Sequence, residues 1–432
     1  MESANARLRK LSLPAARARD SFRDIVLHHK PAILAILLLT YAGIALGHVP
    51  GLKLNRTGIA LLGAIGMMIF GGVTTAEVVS YVNWPTIFLL FGFFVISAQL
   101  RLSGFYHLVA GGLSTRLGHP AKFLFVLMVA TAGFSAFLNH DIVCFVFTPI
   151  VGAALLRQKL NPVPFLVALA IASNVGSAAT LIGNPQDMMI GQVAHLSFGG
   201  YILWSIAPVL FALAGSYGVI WMLARHDLHL ADAHGKIPND DDQPLDRAHT
   251  IKGLVILAVV IGLFFTSLPK EIVALAAAGL HLASTKFRTE ELLNLIDWPV
   301  LVLFMGLFVV TGAFQSTGYG DQAIHWLAQG GFHLNAPPAL IATTAILSNL
   351  INNSATVMLL LKVVDLSHPL TAYILALANS FGGSLLIVGS VANIITVQQA
   401  QQLGITIGFR AFSRLSVPAT LLALGGLLLW CL

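Results

Sequence analysis

Trp84-Pro85-Thr86-Ile87-Phe88-Leu89-Leu90-Phe91-Gly92-Phe93-Phe94-Val95 has an echo later in the same chain, Trp298-Pro299-Val300-Leu301-Val302-Leu303-Phe304-Met305-Gly306-Leu307-Phe308-Val309. The offset is 214 residues (298 − 84), and the two runs close near Gly104-Phe105 and Gly318-Tyr319. Downstream, Ser135 and Asn139 recur as Ser348 and Asn352 at an offset of 213 (348 − 135). Asn174, Gly176 and Gly183 are answered by Ser380, Gly382 and Gly389 at an offset of 206 (389 − 183). Two halves therefore interrupt apolar segments with polar, glycine-rich breaks at matching places. In a membrane protein, paired interruptions of this kind point to a transport site.

Of 432 residues, 57% are hydrophobic and 10% charged, against roughly 25% charged in a soluble domain. This composition predicts an all-α polytopic membrane protein. The net charge of +6 needs no nucleic-acid partner, because Lys and Arg concentrate in the N-terminal tail and in loops, where they orient helices. Cys144 and Cys431 both lie in apolar runs, so no disulfide framework is expected. No cleavable signal peptide is expected either: the first apolar run leads into Lys53 and Arg56 without a small-residue cleavage site.

A spanning helix needs about 20 apolar residues. Such runs fall near 31–48, 57–75 and 84–100, followed by a short amphipathic piece at 104–117. The run 121–157 is apolar except at Asn139-His140-Asp141. Those side chains are costly in hydrocarbon, so the segment reads as two half-helices meeting at a polar tip, a re-entrant hairpin. Segment 164–195 is broken by Asn174, Gly176, Gly183, Asn184 and Pro185, and 200–224 is a further span. The order then returns with spans near 251–267, 271–285 and 298–314, a hairpin at 338–363 tipped by Asn352-Asn353-Ser354, a helix at 371–402 broken around Ser380 to Asn393, and a span near 411–431.

The expected organisation is a basic tail over 1–30, repeat 1 over 31–224, a charged linker over 225–250 and repeat 2 over 251–432. Each half makes five crossings plus a hairpin that returns to its own side. Five is odd, so the two five-helix repeats are expected to be inverted. The basic residues of the body loops, Arg101, Arg157, Arg225 and Lys286 among them, put the linker in the cytoplasm. The basic tail argues for the opposite orientation.

A broken helix frees backbone groups that only protein or a water-filled cavity satisfies. Half-helix N-termini suit an anion; carbonyl ends and Asn or Ser oxygens suit a cation. Candidate substrate- and ion-binding residues are Asn139, His140 and Asp141 at the first tip and Asn352, Asn353 and Ser354 at the second. Asn174, Gly176, Thr180, Asn184 and Asp187 join them from the first broken helix, and Asn379, Gly382, Ser384 and Asn393 from the second. Plainer roles stay open: hydrogen-bond glue between helices for the asparagines and close packing for the glycines, a wet helix end for Asp141, a membrane boundary for Asp187. Glu77, Glu271 and Asp297 read as interfacial. His226, His229 and His234 have the look of a metal cluster but stand among many Asp residues, as in a solvated loop.

The stretch Ser173-Asn174-Val175-Gly176-Ser177-Ala178-Ala179-Thr180-Leu181-Ile182-Gly183-Asn184-Pro185-Gln186-Asp187 resembles the broken-helix loop of the ion-transporter superfamily. That group holds divalent anion–sodium symporters, citrate-type transporters, arsenite efflux pumps and one class of sodium–proton antiporters. Gly383-Ser384 with Gly389-Ser390-Val391-Ala392-Asn393 looks like its second-half counterpart, and the tips are similar to its Ser-Asn-Thr signatures. The resemblance covers residues 31–431. Its Gly183-Asn184-Pro185-Gln186 portion is most like that of poorly characterised bacterial members of anion- and citrate-transporter type.

What the resemblance implies is sodium near Asn139, Asp141 and Asn174 and near Asn352, Asn353 and Ser384, with substrate at the tips and broken loops. Three departures bear on it. Asn139-His140-Asp141 stands where Ser-Asn-Thr is usual, Asn352-Asn353-Ser354 keeps the central Asn and a hydroxyl, and Asp187 occupies a usual Asn position. The carboxylates make protons an alternative coupling ion and weigh against a dicarboxylate substrate.

The function expected is secondary active transport of a small inorganic or organic anion, coupled to sodium or protons, in a bacterial inner membrane. No other cofactor is expected. The partners are the anionic or oxyanion substrate and the lipid bilayer, and a homodimer is left open. Arsenite or antimonite efflux and sodium–proton exchange are rivals of the same class. A channel is a further rival. A membrane enzyme using His140-Asp141 as a base pair lacks a nucleophile or cofactor motif.

Overall fold

The structure is a computed structural model describing residues 29–46, 54–114, 119–225, 245–283, 286–329 and 333–432. Among these, ten α-helices precede the linker and ten follow it, in the same order. The first ten are α1 (His29–Leu46), α2 (Arg56–Ile69), α3 (Thr75–Tyr81), α4 (Trp84–Leu102), α5 (Phe105–Ser114), α6 (Pro120–Phe137), α7 (His140–Arg157), α8 (Pro162–Ser177), α9 (Pro185–Val193) and α10 (Phe198–Ala224). The second ten are α11 (Arg247–Leu263), α12 (Lys270–Leu282), α13 (Thr289–Leu293), α14 (Trp298–Ser316), α15 (Tyr319–Gln329), α16 (Pro337–Ile351), α17 (Asn353–Leu360), α18 (Pro369–Gly382), α19 (Val391–Gln402) and α20 (Phe409–Cys431). A 3-10 turn, Ile387–Gly389, precedes α19.

Both expected hairpins break where the polar triplets stand, between α6 and α7 and between α16 and α17. Both broken helices open where Gly183 and Gly389 stand. The breaks have local causes. Asn139, Asn184, Asn352 and Ser390 each cap the helix that follows, with a side-chain oxygen accepting from its first turn.

Lengths differ from expectation in two places. α6 and α7 fill the expected segment 121–157 with 18 residues each, but at about 27 Å each is long enough to cross a membrane. Seven described helices, α1, α4, α6, α7, α10, α14 and α20, are long and apolar enough to cross a membrane. Conversely, α2 and α12, where full spans were expected, have only 14 and 13 residues. Gly71-Gly72 follow α2, Gly72 at a φ of 69° that a side chain would resist, and Pro269 fixes the start of α12.

The sequence reading also missed α3 and α13. Each is one capped segment: the Thr74 amide donates to Glu77 Oε2 at 2.7 Å, and the Arg288 amide to Glu291 Oε2 at 3.2 Å. Glu77, expected at a span end, is a helix cap. The His226, His229 and His234 group, most of the tail and most of the linker lie outside the described residues.

Two compact units form, and each draws on both halves. One comprises Met1–Asn83 with Val302–Gly331, the other Trp84–Leu301 with Phe332–Leu432. In the first, α14 lies against α2 so closely that a Cβ on Gly306 would sit 2.9 Å from the Ala60 carbonyl oxygen. In the second, α4 lies against α12, and a Cβ on Gly92 would sit 2.7 Å from Ala274 Cβ. The two pairs are equivalent, since 306 − 92 and 274 − 60 are both 214.

Candidate functional site

Each hairpin tip is an asparagine that starts a helix. Asn139 Oδ1 accepts from the Asp141 amide at 2.9 Å, and Asn352 Oδ1 from the Ser354 amide at 2.7 Å. The Ser354 amide is also 2.9 Å from Asn353 Oδ1. Asn352 holds a φ of 78° with a ψ of 150°, an extended positive-φ conformation that glycine alone adopts readily. The His140 amide donates to the Gly183 carbonyl at 3.2 Å, and its carbonyl accepts from Ser173 Oγ at 3.0 Å. These bonds tie the first tip to the first broken helix. His140 Nε2 lies 3.4 Å from Asp141 Oδ1, an oxygen that accepts no hydrogen bond.

The broken helices bond to each other by two equivalent sets of contacts. Asn174 Oδ1 accepts from Ser390 Oγ at 2.8 Å, and Asn174 Nδ2 donates to Asn393 Oδ1 at 2.8 Å. The counterparts of Asn174, Ser390 and Asn393, 206 residues away, are Ser380, Asn184 and Asp187. Asn184 Nδ2 donates to Ser380 Oγ at 3.2 Å, and Ser380 Oγ lies 3.5 Å from Asp187 Oδ2. Asn184 Nδ2 also reaches Asp187 Oδ2 at 2.7 Å, while Asn184 Oδ1 accepts from the Asp187 amide at 2.7 Å. Tip and broken helix are linked equivalently too: Ser135 Oγ pairs with Ser173 Oγ at 3.0 Å, and Ser348 Oγ donates to Asn379 Oδ1 at 3.1 Å.

Most of the expected residues therefore meet in one buried polar cluster of the larger unit: Asn139, His140, Asp141, Asn174, Thr180, Asn184, Asp187, Asn352, Asn353, Ser354, Asn379, Ser384 and Asn393. Thr180 Oγ1 donates to the Ala136 carbonyl, securing the loop to α6. Ser384 Oγ and Asn379 Nδ2 are buried without a partner. Gly176 and Gly382 are corrected: they lie inside α8 and α18, not in the loops. A Cβ on either would press on Ala132 of α6 or Ala345 of α16, at 2.6 and 3.0 Å from the alanine Cβ. They permit helix contact. Gly183 and Gly389 do sit in the loops.

Gln186 escaped the sequence reading. Its Nε2 donates to Ser354 Oγ at 2.6 Å, joining the N-termini of α9 and α17. Ser380 and Ser390 escaped as site residues, although the 206-residue offset already pairs them with Asn174 and Asn184. Among the described residues the buried polar set holds Asp141 and Asp187 but no Lys or Arg. Four helix N-termini, those of α7, α9, α17 and α19, enter the cluster, each with a partial positive charge. The arrangement can thus present oriented amides to an anion and carboxylate oxygens to a cation.

The family model described as CitMHS, citrate transporter, matches residues 36–373. An uncharacterized transporter of Mycobacterium tuberculosis is 30% identical, over 92% of this chain and 98% of its own. A transporter named arsB in Dictyostelium discoideum is 23% identical over 91% of this chain and 89% of its own. Among solved structures, the YdaH transporter of Alcanivorax borkumensis superposes with a TM-score of 0.58 at 15% identity, covering 94% of this chain and 97% of that one. The family resemblance read from the broken-helix loop is borne out, and so is the all-helical fold. This chain, a multi-pass membrane transporter, belongs to the citrate transporter family of the ion-transporter superfamily.

Proposed function

We propose that the protein is a secondary active symporter that carries a small inorganic or organic anion together with sodium or protons across a bacterial inner membrane. The observation that carries this reading is the buried cluster in which four capped helix N-termini meet Asp141 and Asp187 without a buried Lys or Arg. Helix N-termini suit an anion. Two buried carboxylates with no Lys or Arg buried beside them are costly unless a proton or metal cation joins them. Anion and cation then complete one another's site, which is the physical basis of coupling. The sites expected at Asn139, Asp141 and Asn174 and at Asn352, Asn353 and Ser384 are the places for the cation. The exchanged contacts between the halves support two repeats, and an odd number of crossings in each makes them inverted, with the linker cytoplasmic.

The test is flux in liposomes holding the purified protein, with sodium and proton gradients imposed separately. Sulfate, phosphate, dicarboxylates, citrate and arsenite are screened in both directions. Saturable uptake of one anion, dependent on one gradient, is expected. Unsaturable flux that ignores both gradients would make the protein a channel. A second reading, efflux of arsenite, is favoured by the arsB relative and by the absence of buried Lys or Arg among the described residues. It predicts extrusion of arsenite and no uptake of the others.

A further inference from the structure

The two broken helices share one hydrogen-bond frame but differ in one atom. In the second half, Asn393 Oδ1 accepts from Asn174 Nδ2, and Asn393 Nδ2 donates to the carbonyls of Gly383 and Leu386 at 2.8 and 2.9 Å. In the first half, Asp187 occupies the equivalent position. Its Oδ2 takes the part of Asn393 Oδ1, lying 3.5 Å from Ser380 Oγ, the counterpart group. Its Oδ1 therefore takes the part of the amide nitrogen. That oxygen is fully buried and has no hydrogen-bond partner. The carbonyls equivalent to those of Gly383 and Leu386 belong to Ser177 and Thr180. Where one half has an N–H donor facing two carbonyls, the other has a bare oxygen. Oxygens do not satisfy one another; a hydrogen between them does.

We propose that Asp187 is a proton-binding site: the carboxyl carries its proton on Oδ1 and donates it into the carbonyl pair of the first broken-helix loop, as the Asn393 amide does in the second. This deepens the transport reading, on which it rests for its purpose, by naming the proton's place. A protonated carboxyl is nearly isosteric with a carboxamide, and hydrogen-bond spacing in the equivalent frame fits a proton better than sodium. A sodium ion would draw oxygens into a wider shell of its own. Loss of the proton leaves an anion at the N-terminus of α9, beside Ser380 and Asn184, so the charge of the site changes where the halves meet.

The surroundings do not supply another cation. α8, α17 and the rest of α9 bring no titratable side chain, α18 brings Tyr373, and α4 only Arg101 in its last turn. From α10, the Tyr201 hydroxyl donates to the Ala178 carbonyl at 2.9 Å. Lys270 donates to the Leu196 carbonyl and Glu271 accepts from Gln192, both beyond the other end of α9. His140 and Asp141 stand at the neighbouring tip.

The experiment is infrared titration of the purified full-length protein in detergent, reading the carbonyl stretch of protonated carboxyl groups. The wild type should show such a band at neutral pH, and Asp187→Asn should lose it while eluting as a folded protein. Asp141→Asn should keep the Asp187 band. Asn393→Asp, which copies the first half into the second, should add a band. Absence of any band at neutral pH that Asp187→Asn removes would overturn the proposal. So would a band that sodium chloride abolishes, since sodium would then be the resident ion. A wild type that shows the band but moves none of the screened solutes supports the proton site and sinks the transport reading, so the two fail separately.

Discussion

The two halves of the site share their frame and differ in charge. Ser135 and Ser348, Asn139 and Asn352, Asn174 and Ser380, Asn184 and Ser390 are equivalent in sequence and in their bonds. At three further positions the first half is ionisable and the second is not: His140 against Asn353, Asp141 against Ser354, Asp187 against Asn393. Gln186, which reaches Ser354, is opposed by Ala392, so no equivalent amide is available to Asp141. The matched positions thus build the scaffold, and the unmatched ones put the charged chemistry in one half.

The strongest way to break this comparison is to remove the charge while keeping the frame. Asp141→Asn should abolish gradient-driven transport in liposomes, by 10-fold or more, with normal folding, because the amide cannot carry a proton or balance a cation's charge. His140→Asn copies the second tip. It should keep transport, because the second tip holds Asn353 at the same place and keeps its helix cap. Wild-type flux in Asp141→Asn would mean that the charge difference is incidental. Loss of transport in His140→Asn would give the imidazole a role beyond packing beside Asp141.

The frame can be tested by its closest approaches. A Cβ at Gly176 would meet Ala132 Cβ at 2.6 Å, whereas one at Gly382 would meet Ala345 Cβ at 3.0 Å. Overpacking of this kind costs about 1–3 kcal/mol. Gly176→Ala should fall near about 3 kcal/mol and Gly382→Ala near about 1 kcal/mol, read as loss of thermal stability in detergent. Equal losses would show that the first half is no tighter than the second.

Much of this was legible in the residues themselves. Asn139 and Asn352 in apolar surroundings marked both tips, since hydrocarbon leaves an amide no partner outside the protein. The Trp-Pro echoes marked the starts of α4 and α14. What stayed hidden depends on distance rather than type. Gly176 sits close to Gly183 in sequence, yet one packs a helix and the other lies in a loop. Only the approach of Ala132 separates them. Gln186 reads as one polar residue in a loop motif, and its partner Ser354 lies 168 residues away. α3 and α13 are too short for a hydrophobic period to register, and only their capping glutamates betray them.

Backbone strain offers a finer contrast between the tips. Both asparagines cap helices, and losing a cap costs about 1 kcal/mol. Asn352 in addition holds a φ of 78°, while Asn139 holds −55°. Any residue with a β-carbon resists this conformation by about 1–3 kcal/mol. Asn352→Gly should therefore cost less than Asn352→Ala, because glycine relieves a strain that asparagine and alanine both carry, whereas at Asn139 glycine should bring no such relief. Equal stability of the alanine and glycine variants at 352 would remove the strain from the account.

The smallest effect lies outside the membrane-spanning helices, where a carboxylate has the Lys partner that the site's carboxylates lack. Asp246 caps α11, its Oδ1 accepting from the His249 amide at 3.2 Å. The Lys286 ammonium donates to its other oxygen, and together with the His249 amide it holds the Asp246 carboxyl down at about 2, below the usual 3.8. A lowered value means that the folded state favours the ionised form. The stabilisation is therefore complete above the ordinary carboxylate range and disappears as pH falls from about 4 towards 2. Lys286→Met removes the leading cause of the depression. Exchange protection of the amides at the start of α11, followed by hydrogen–deuterium exchange, should then be slightly lower at neutral pH and fail at a higher pH than in the wild type. The cap itself survives the substitution, so the loss at neutral pH should be partial. An unmoved midpoint would mean that the amide cap, and not the ammonium, fixes the ionisation of Asp246. The contrast with the site would then rest on burial alone.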